Sequence, residues 1–170
     1  REELVTFLED VCGVSNKLIF EESDLGTPQR SPLSFTLFSN GINSGVTFSG
    51  IPGGHEFNSF VLAILQLGGA DLKLDENVKS MISTINEKLD FEVFISLDCH
   101  ICPEVVQSLN KFAIVNENIS CEMIDGGLFP DTVNDRDIQG VPTVFLNGKF
   151  FSSGKTEISN GGTIDFFAAS

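Results

Sequence analysis

The chain has no tryptophan and no tyrosine, only two histidines and two methionines, and ten Lys and Arg against twenty-four Asp and Glu. These scarcities narrow the function. A formal net charge of −14 argues against nucleic acid and anionic membranes as partners, because phosphate binding is driven by Lys and Arg. Solubility is the plain reading of the acid excess. No run approaches the ~20 apolar residues of a membrane span. No signal-peptide pattern opens the chain, and its first residue is Arg, so the natural start is expected to be missing and the location cytoplasmic. No Gly-x-Gly-x-x-Gly opens a helix after a strand, so neither flavin nor nicotinamide is expected to bind here. Zinc would need four ligands at regular spacing. Cys12 and Cys121 are isolated, and His55 has no His or Cys neighbour in the sequence, so no metal is expected.

What is present suffices for a core. Apolar residues make up 41%, sixteen of them Phe, in 170 residues. That length fits one domain or two small fused ones. Four cysteines without a regular framework fit a reducing compartment and one redox pair.

The organising stretch is Phe94–Asn110. The apolar run Phe91–Leu97 predicts a buried strand, which stops at Cys99-His100-Ile101-Cys102. Pro103 then opens a segment with Val105, Val106, Leu109, Phe112 and Ala113 at helical spacing. Pro fits the first helical turn, where its missing N–H costs nothing. A Cys-x-x-Cys at a helix start suits redox chemistry. The thiolate is the attacking species, and the positive end of the helix lowers a cysteine pKa. Two intervening residues let the second thiol close a reducible disulfide. Half of a zinc site and a purely structural staple are the alternatives.

Some forty residues on, Gly140-Val141-Pro142 precedes an apolar strand, an Asn147-Gly148 turn and a second strand. That predicts a hairpin over 143–151 with Pro142 at its mouth. An ordinary trans Pro at a strand start is the alternative. The rest of the chain predicts a helix over Arg1–Val11, a strand over Lys17–Glu21 and a Gly/Pro/Ser-rich connection over Leu25–Pro32. A hairpin of Ser34–Phe38 with Gly45–Ser49 follows. Helices are predicted from His55 or Glu56 to Leu67 (Phe57, Phe60, Val61, Ile64 and Leu65 inward) and over Asp75–Leu89 (Val78, Met81, Ile82, Ile85 and Leu89 inward). A strand over Ser120–Ile124, a short helix near Asp131–Asp137 and a final helix after Lys155 complete the reading. The order of elements suggests an internal repeat, with Pro32 matching Pro142 and no Cys-x-x-Cys in the first half. Ser159-Asn160-Gly161-Gly162-Thr163 would interrupt the last helix, since glycines cost roughly 1 kcal/mol each.

Cys99-His100-Ile101-Cys102-Pro103-Glu104-Val105-Val106-Gln107, Ile124-Asp125-Gly126-Gly127, Asp135-Arg136 and Gly140-Val141-Pro142 together resemble the N-terminal domain of the alkyl hydroperoxide reductase flavoprotein subunit. Upstream, Gly54-His55-Glu56-Phe57, Val61-Leu62-Ala63 and Gly68-Gly69 resemble it at matching distance from the cysteine pair. The likeness runs from about Leu4 to Glu157. It implies an α/β protein of two fused thioredoxin-like folds with a central mixed sheet flanked by helices. Residues 1–89 would be redox-silent and lack the first strand, and residues 90–170 would form the active thioredoxin/glutaredoxin-like fold. Pro142 would be cis beside the cysteine pair. The family's amphipathic closing helix is where this sequence departs from it.

Cys99, nearer the strand end, is the expected nucleophile, and Cys102 the buried resolving thiol. His100, Val141 and Pro142 are candidates for contact with the substrate chain. His100 either stabilises the thiolate or is a solvated loop residue. Asp98 would oppose thiolate formation if close. The resemblance implies that Glu56 faces the cysteine pair and takes the Cys102 proton as general base; a plain helix-dipole carboxylate is the other reading. It also implies electron relay from NADH through FAD, both on a flavoprotein domain that follows in the full-length protein, to a peroxiredoxin disulfide. A free-standing glutaredoxin-like oxidoreductase and a non-catalytic binding module with a structural disulfide are the rival functions.

Overall fold

The computed structural model describes residues 1–23, 30 and 33–154. The elements run α1 (Glu2–Gly13), β1 (Ser34–Ser39), β2 (Ile42–Ser49), a 3-10 turn (Gly54–Glu56), α2 (Phe57–Leu67), α3 (Glu76–Ser83), β3 (Leu89–Ile95), α4 (Cys102–Val115), β4 (Ile119–Asp125), α5 (Pro130–Asp135), β5 (Thr143–Leu146) and β6 (Lys149–Ser153). The six strands form one mixed sheet in the order β1-β2-β4-β3-β5-β6. β4 pairs in parallel with β2 and with β3, and the outer pairings are antiparallel. The hairpin of the first half therefore extends the sheet of the second.

Alternation sorts side chains onto the two faces. Phe91 and Val93 of β3 and Cys121 and Met123 of β4 are buried with Val105, Val106, Leu109 and Phe112 of α4. Phe48 of β2 and Phe60 of α2 extend this core, with Phe35 and Phe7 against them at ring-centroid distances of 5.3 to 5.6 Å. Tilted and edge-on pairs at this spacing add to what burial contributes, which accounts for much of the heavy use of Phe. The opposite face of β3 and β4 carries Glu92, Phe94, Glu122 and Ile124, and among the described residues Phe94, Ile124 and Phe145 form a small second core there with Phe129, Val133 and Ile138 against it.

The acids on that face are paired. Arg30 is buried and places its Nη2 2.6 Å from Glu92 and its Nη1 3.1 Å from Glu122. Arg136 donates to both Glu92 oxygens at 2.9 and 3.2 Å. Its guanidinium also lies 4.7 Å from the Phe145 ring centroid and 5.5 Å from that of Phe94. Burial of these charges is tolerated because every one has an opposite partner.

Several expectations change. Residues 17–21 form no strand, and Ile19 is 81% exposed. Both edges of β2 are occupied, by β1 and β4. α3 ends at Ser83 instead of running to Leu89, because Asn116 donates to the carbonyls of Ile82 and Ile85 and Asn118 to that of Ile85. Those contacts turn the chain so that Leu89 opens β3. α3 starts where Asp75 accepts from the N–H groups of Asn77 and Val78, a side-chain cap. Phe57 and Leu65 of α2 and Met81 of α3 are exposed, not inward; Ser59 and Ala63 take buried positions on α2. The first hairpin turns tightly at Asn40-Gly41, both with positive φ, the conformation of a two-residue hairpin loop. Gly45 lies within β2. Pro32, most of the 25–32 connection and everything after Gly154, including the expected last helix and the Gly-interrupted tail, lie outside the described residues.

Candidate functional site

α4 supplies the site because of how it begins. The strand β3 ends at Ile95, a short turn follows, and Cys99 and Cys102 form a disulfide with their Cα atoms 5.5 Å apart. Cys102 is fully buried at the first position of α4, whereas Cys99 is half-buried outside it. The Cys102 backbone N–H donates to Cys99 Sγ at 3.2 Å. Free N–H groups at a helix start carry partial positive charge, so a sulfur held there is stabilised as a thiolate once the disulfide is reduced. The expected order of exposure, Cys99 outside and Cys102 inside, is the observed one.

The loop before β5 closes one side. The Val141–Pro142 peptide is cis. The Val141 carbonyl oxygen lies 3.9 Å from Cys99 Sγ, where it could accept from the reduced thiol. Thr143 holds the loop by donating its hydroxyl to the Gly140 carbonyl at 2.6 Å. Pro142 is buried and Val141 half-buried, so this loop is both fixed and against the reactive sulfur.

The first half closes the other side. The 3-10 turn 54–56 sits against the residues that lead into the motif: the His55 N–H donates to the Leu97 carbonyl at 3.2 Å. Gly54 permits that approach. It has φ +54°, and a Cβ there would stand 2.7 Å from the Leu97 oxygen, closer than side-chain carbons come to backbone. The turn also brings the His55 ring to the His100 ring, with centroids 4.4 Å apart. Along the chain His55 has no His or Cys close by; the fold gives it one from a distant segment.

Glu56 follows His55 and is 0% exposed. Among the described residues neither of its carboxylate oxygens has a hydrogen-bond partner. Burial pushes its carboxyl up to about 7, and the Ser59 hydroxyl nearby opposes the rise in part. The Ser59 hydroxyl oxygen accepts from Gln107 of α4, whose Nε2 lies 3.1 Å away. The 3-10 turn and α2 thus both pack on α4. A buried, unpartnered carboxylate poised near neutrality suits proton transfer better than a helix-dipole role, for which a solvated side chain suffices.

Burial also raises the Cys121 and Cys12 thiols, so neither is an activated nucleophile. Among the described residues no three His, Cys, Asp or Glu side chains converge as a metal site would require, and no helix is long and apolar enough to cross a membrane.

A mixed sheet, a Cys-x-x-Cys at the start of the helix that follows its central strand and a cis-Pro loop against the outer cysteine define a thiol–disulfide oxidoreductase domain of the thioredoxin class. Comparison with known proteins agrees and narrows this. Residues 89–160 match the family model described as Thioredoxin domain. The chain is 44% identical to the alkyl hydroperoxide reductase protein AhpF of Pseudomonas aeruginosa over 90% of its length and 29% of that protein's. It is 41% identical to AhpF of Escherichia coli over 92% of its length and 30% of that protein's. The crystal structure of the NTD_N/C domain of AhpF from Enterococcus faecalis superposes with a TM-score of 0.79 at 32% identity, covering 93% of this chain and 82% of that one. The chain belongs to the family of the AhpF N-terminal domain. It spans about 30% of the length of the curated relatives it matches.

Proposed function

We propose that this chain relays two electrons from an NADH- and FAD-dependent disulfide reductase to the disulfide of a peroxiredoxin. The observation that carries the reading is the Cys99–Cys102 disulfide at the start of α4, with the cis-Pro loop on one side and the unpartnered Glu56 turn docked on α4. The Thioredoxin domain match beginning at residue 89 supports a redox-silent half over 1–89 and an active half over 90–170. Family membership supports the direction of flow and both partners.

In the reduced chain the Cys99 thiolate attacks one sulfur of the partner's disulfide. That S–S bond breaks, a mixed disulfide forms, and the departing partner sulfur leaves as a thiolate that takes up a proton. Cys102 then loses its proton to the Glu56 carboxylate and attacks Cys99 Sγ. The mixed disulfide breaks, the second partner thiolate leaves, and the proton stored on Glu56 passes to solvent or to that thiolate. The chain ends oxidised by two electrons and the partner reduced by two. Val141 and Pro142 support an extended partner segment beside Cys99. Flavin and nicotinamide, when bound on the reductase domain, would supply hydride and electrons. The sequence carries no Gly-x-Gly-x-x-Gly after a strand to hold either.

The test is trapping. Cys102→Ser leaves Cys99 able to attack but removes the resolving thiol. Mixed with an oxidised two-cysteine peroxiredoxin, the reduced variant accumulates a one-to-one adduct that dithiothreitol dissolves, with the bond mapped to Cys99. An adduct with glutathione alone would favour the glutaredoxin-like reading, and no adduct at all would leave the disulfide a staple.

A further inference from the structure

We propose that His55, in the half without the cysteine pair, is a positioning residue for the exchange reaction: it holds the His100 imidazole, and so the loop between the two cysteines, in the arrangement that stabilises the Cys99 thiolate. This rests on the exchange chemistry above and adds a residue to it.

The geometry has three parts. First, His100 stands in the two-residue loop of the motif and is exposed, so nothing in its own segment fixes its rotamer. An exposed side chain of this kind samples several staggered wells. Second, the His55 ring supplies what the loop lacks, an aromatic face at 4.4 Å and an interplanar angle of 63°. Third, His55 is itself anchored. Its N–H is bonded to the Leu97 carbonyl, Gly54 before it is pressed onto the same carbonyl, and Glu56 after it is buried. The ring contact is therefore made between a residue of anchored backbone and an exposed side chain, and it acts on the residue next to the attacking sulfur.

The charge environment gives the contact a role. The ionisable groups on the elements packed around the pair are Glu56 on the 3-10 turn, Asp98 in the loop and Glu104 in the first turn of α4; residues 139–142 of the cis-Pro loop bring none. Besides the α4 N–H groups, the His100 imidazole, adjacent to Cys99 in the chain, is able to donate to a thiolate. The three carboxylates oppose it. A positioned imidazole tips that balance toward the thiolate, and a freely rotating one does so for a fraction of the time.

The experiment uses the whole chain, pre-reduced, with iodoacetamide as probe. Labelling of each cysteine is followed by mass spectrometry across pH 5 to 9. His55→Ala is expected to slow Cys99 labelling about three- to tenfold at pH 6 and to move the midpoint of its pH profile upward by up to about one unit. Labelling of Cys12 and the thermal midpoint of the oxidised protein should stay in place. His55→Phe, which keeps a ring against His100, should restore most of the rate. The double variant with His100→Ala should be no slower than His100→Ala alone, because His55 acts through His100. Selective labelling of Cys99 in the parent chain, with a profile unmoved by His55→Ala or with additive effects of the two substitutions, would overturn the role of His55 and leave the exchange reading standing. A parent chain whose Cys99 labels no faster than Cys12 would overturn both.

Discussion

Two carboxylate sites, one half-buried and one fully buried, lie on opposite faces of one sheet, and they are treated in opposite ways. On the face away from α4, Glu92 is bracketed by Arg30 and Arg136, and Glu122 shares Arg30. Burial still raises Glu122, with Arg30 as the largest opposing influence. On the α4 side, Glu56 is fully buried with no cation and no hydrogen-bond donor on either oxygen among the described residues. A fold that needed only stability would pair such a group or replace it, since an unpaired buried acid costs free energy. The paired site holds the sheet together. The unpaired one has its carboxyl raised to about 7 by burial, in a turn that packs on the helix opening with the disulfide. The contrast separates paired acids from an unpartnered one without reference to sequence motifs.

The contrast can be broken from either side. The largest effect on stability is expected from Glu92→Ala, which removes the acceptor of two guanidiniums and leaves Arg30, buried, with Glu122. Breaking a pair of this kind costs about 3 kcal/mol. Urea unfolding should show that loss while thiol–disulfide exchange by the folded protein stays within about twofold of the parent, a difference well under 1 kcal/mol. A variant as stable as the parent would show that the arginines gain nothing from Glu92.

Glu56→Gln is expected to act in the other direction. With its carboxyl raised from 4.5 to about 7 in the folded chain, Glu56 binds a proton in the native state that the unfolded state has already released. Stability attributable to this group therefore falls as pH rises from about 4.5 to about 7 and is level above that. The full cost at pH 8 is about 3 kcal/mol at most. The variant should be more stable than the parent at pH 8 and converge with it near pH 4, where both side chains are neutral. Subtracting the two curves removes the contributions of Glu122 and Asp125, which are also raised. A variant less stable than the parent at pH 8 would mean that the carboxylate is satisfied in solution.

The parts of this arrangement are unequally legible in the sequence. β3, β4, α4 and the β5–β6 hairpin follow from pattern and punctuation: the apolar run Phe91–Leu97, helical spacing after Pro103 and the Asn147-Gly148 turn. Their observed boundaries differ from the expected ones by a residue or two. Leu18-Ile19-Phe20 has the composition of a strand, but it pairs with no strand of the sheet and Ile19 is exposed. Periodicity extends α3 too far because the asparagines that stop it, Asn116 and Asn118, are more than thirty positions away. Phe57 and Leu65 fit an apolar helical stripe, and the helix is rotated so that Ser59 and Ala63 are buried instead. The cysteines and their order are readable locally. Glu56 is not: only family resemblance singles it out, because whether a carboxylate at a helix start is solvated or buried is decided by what packs on it. The Arg30–Glu92–Arg136 network and the His55–His100 contact join distant segments with no local signature.

The most direct test of the central claim is the rate at which the mixed disulfide resolves. A pre-reduced chain is mixed rapidly with oxidised peroxiredoxin, and decay of the Cys99-linked adduct is followed by acid quench from pH 5 to 9, for the parent and for Glu56→Gln. If Glu56 takes the Cys102 proton, the parent rate rises with a midpoint near 7, and the variant is slower by about 100-fold at pH 7.5, the range of general-base catalysis. Its rate then climbs only as the thiol itself ionises. Equal rates and equal pH profiles in the two proteins would contradict the assignment and return the unpartnered carboxylate to an unexplained cost of the fold.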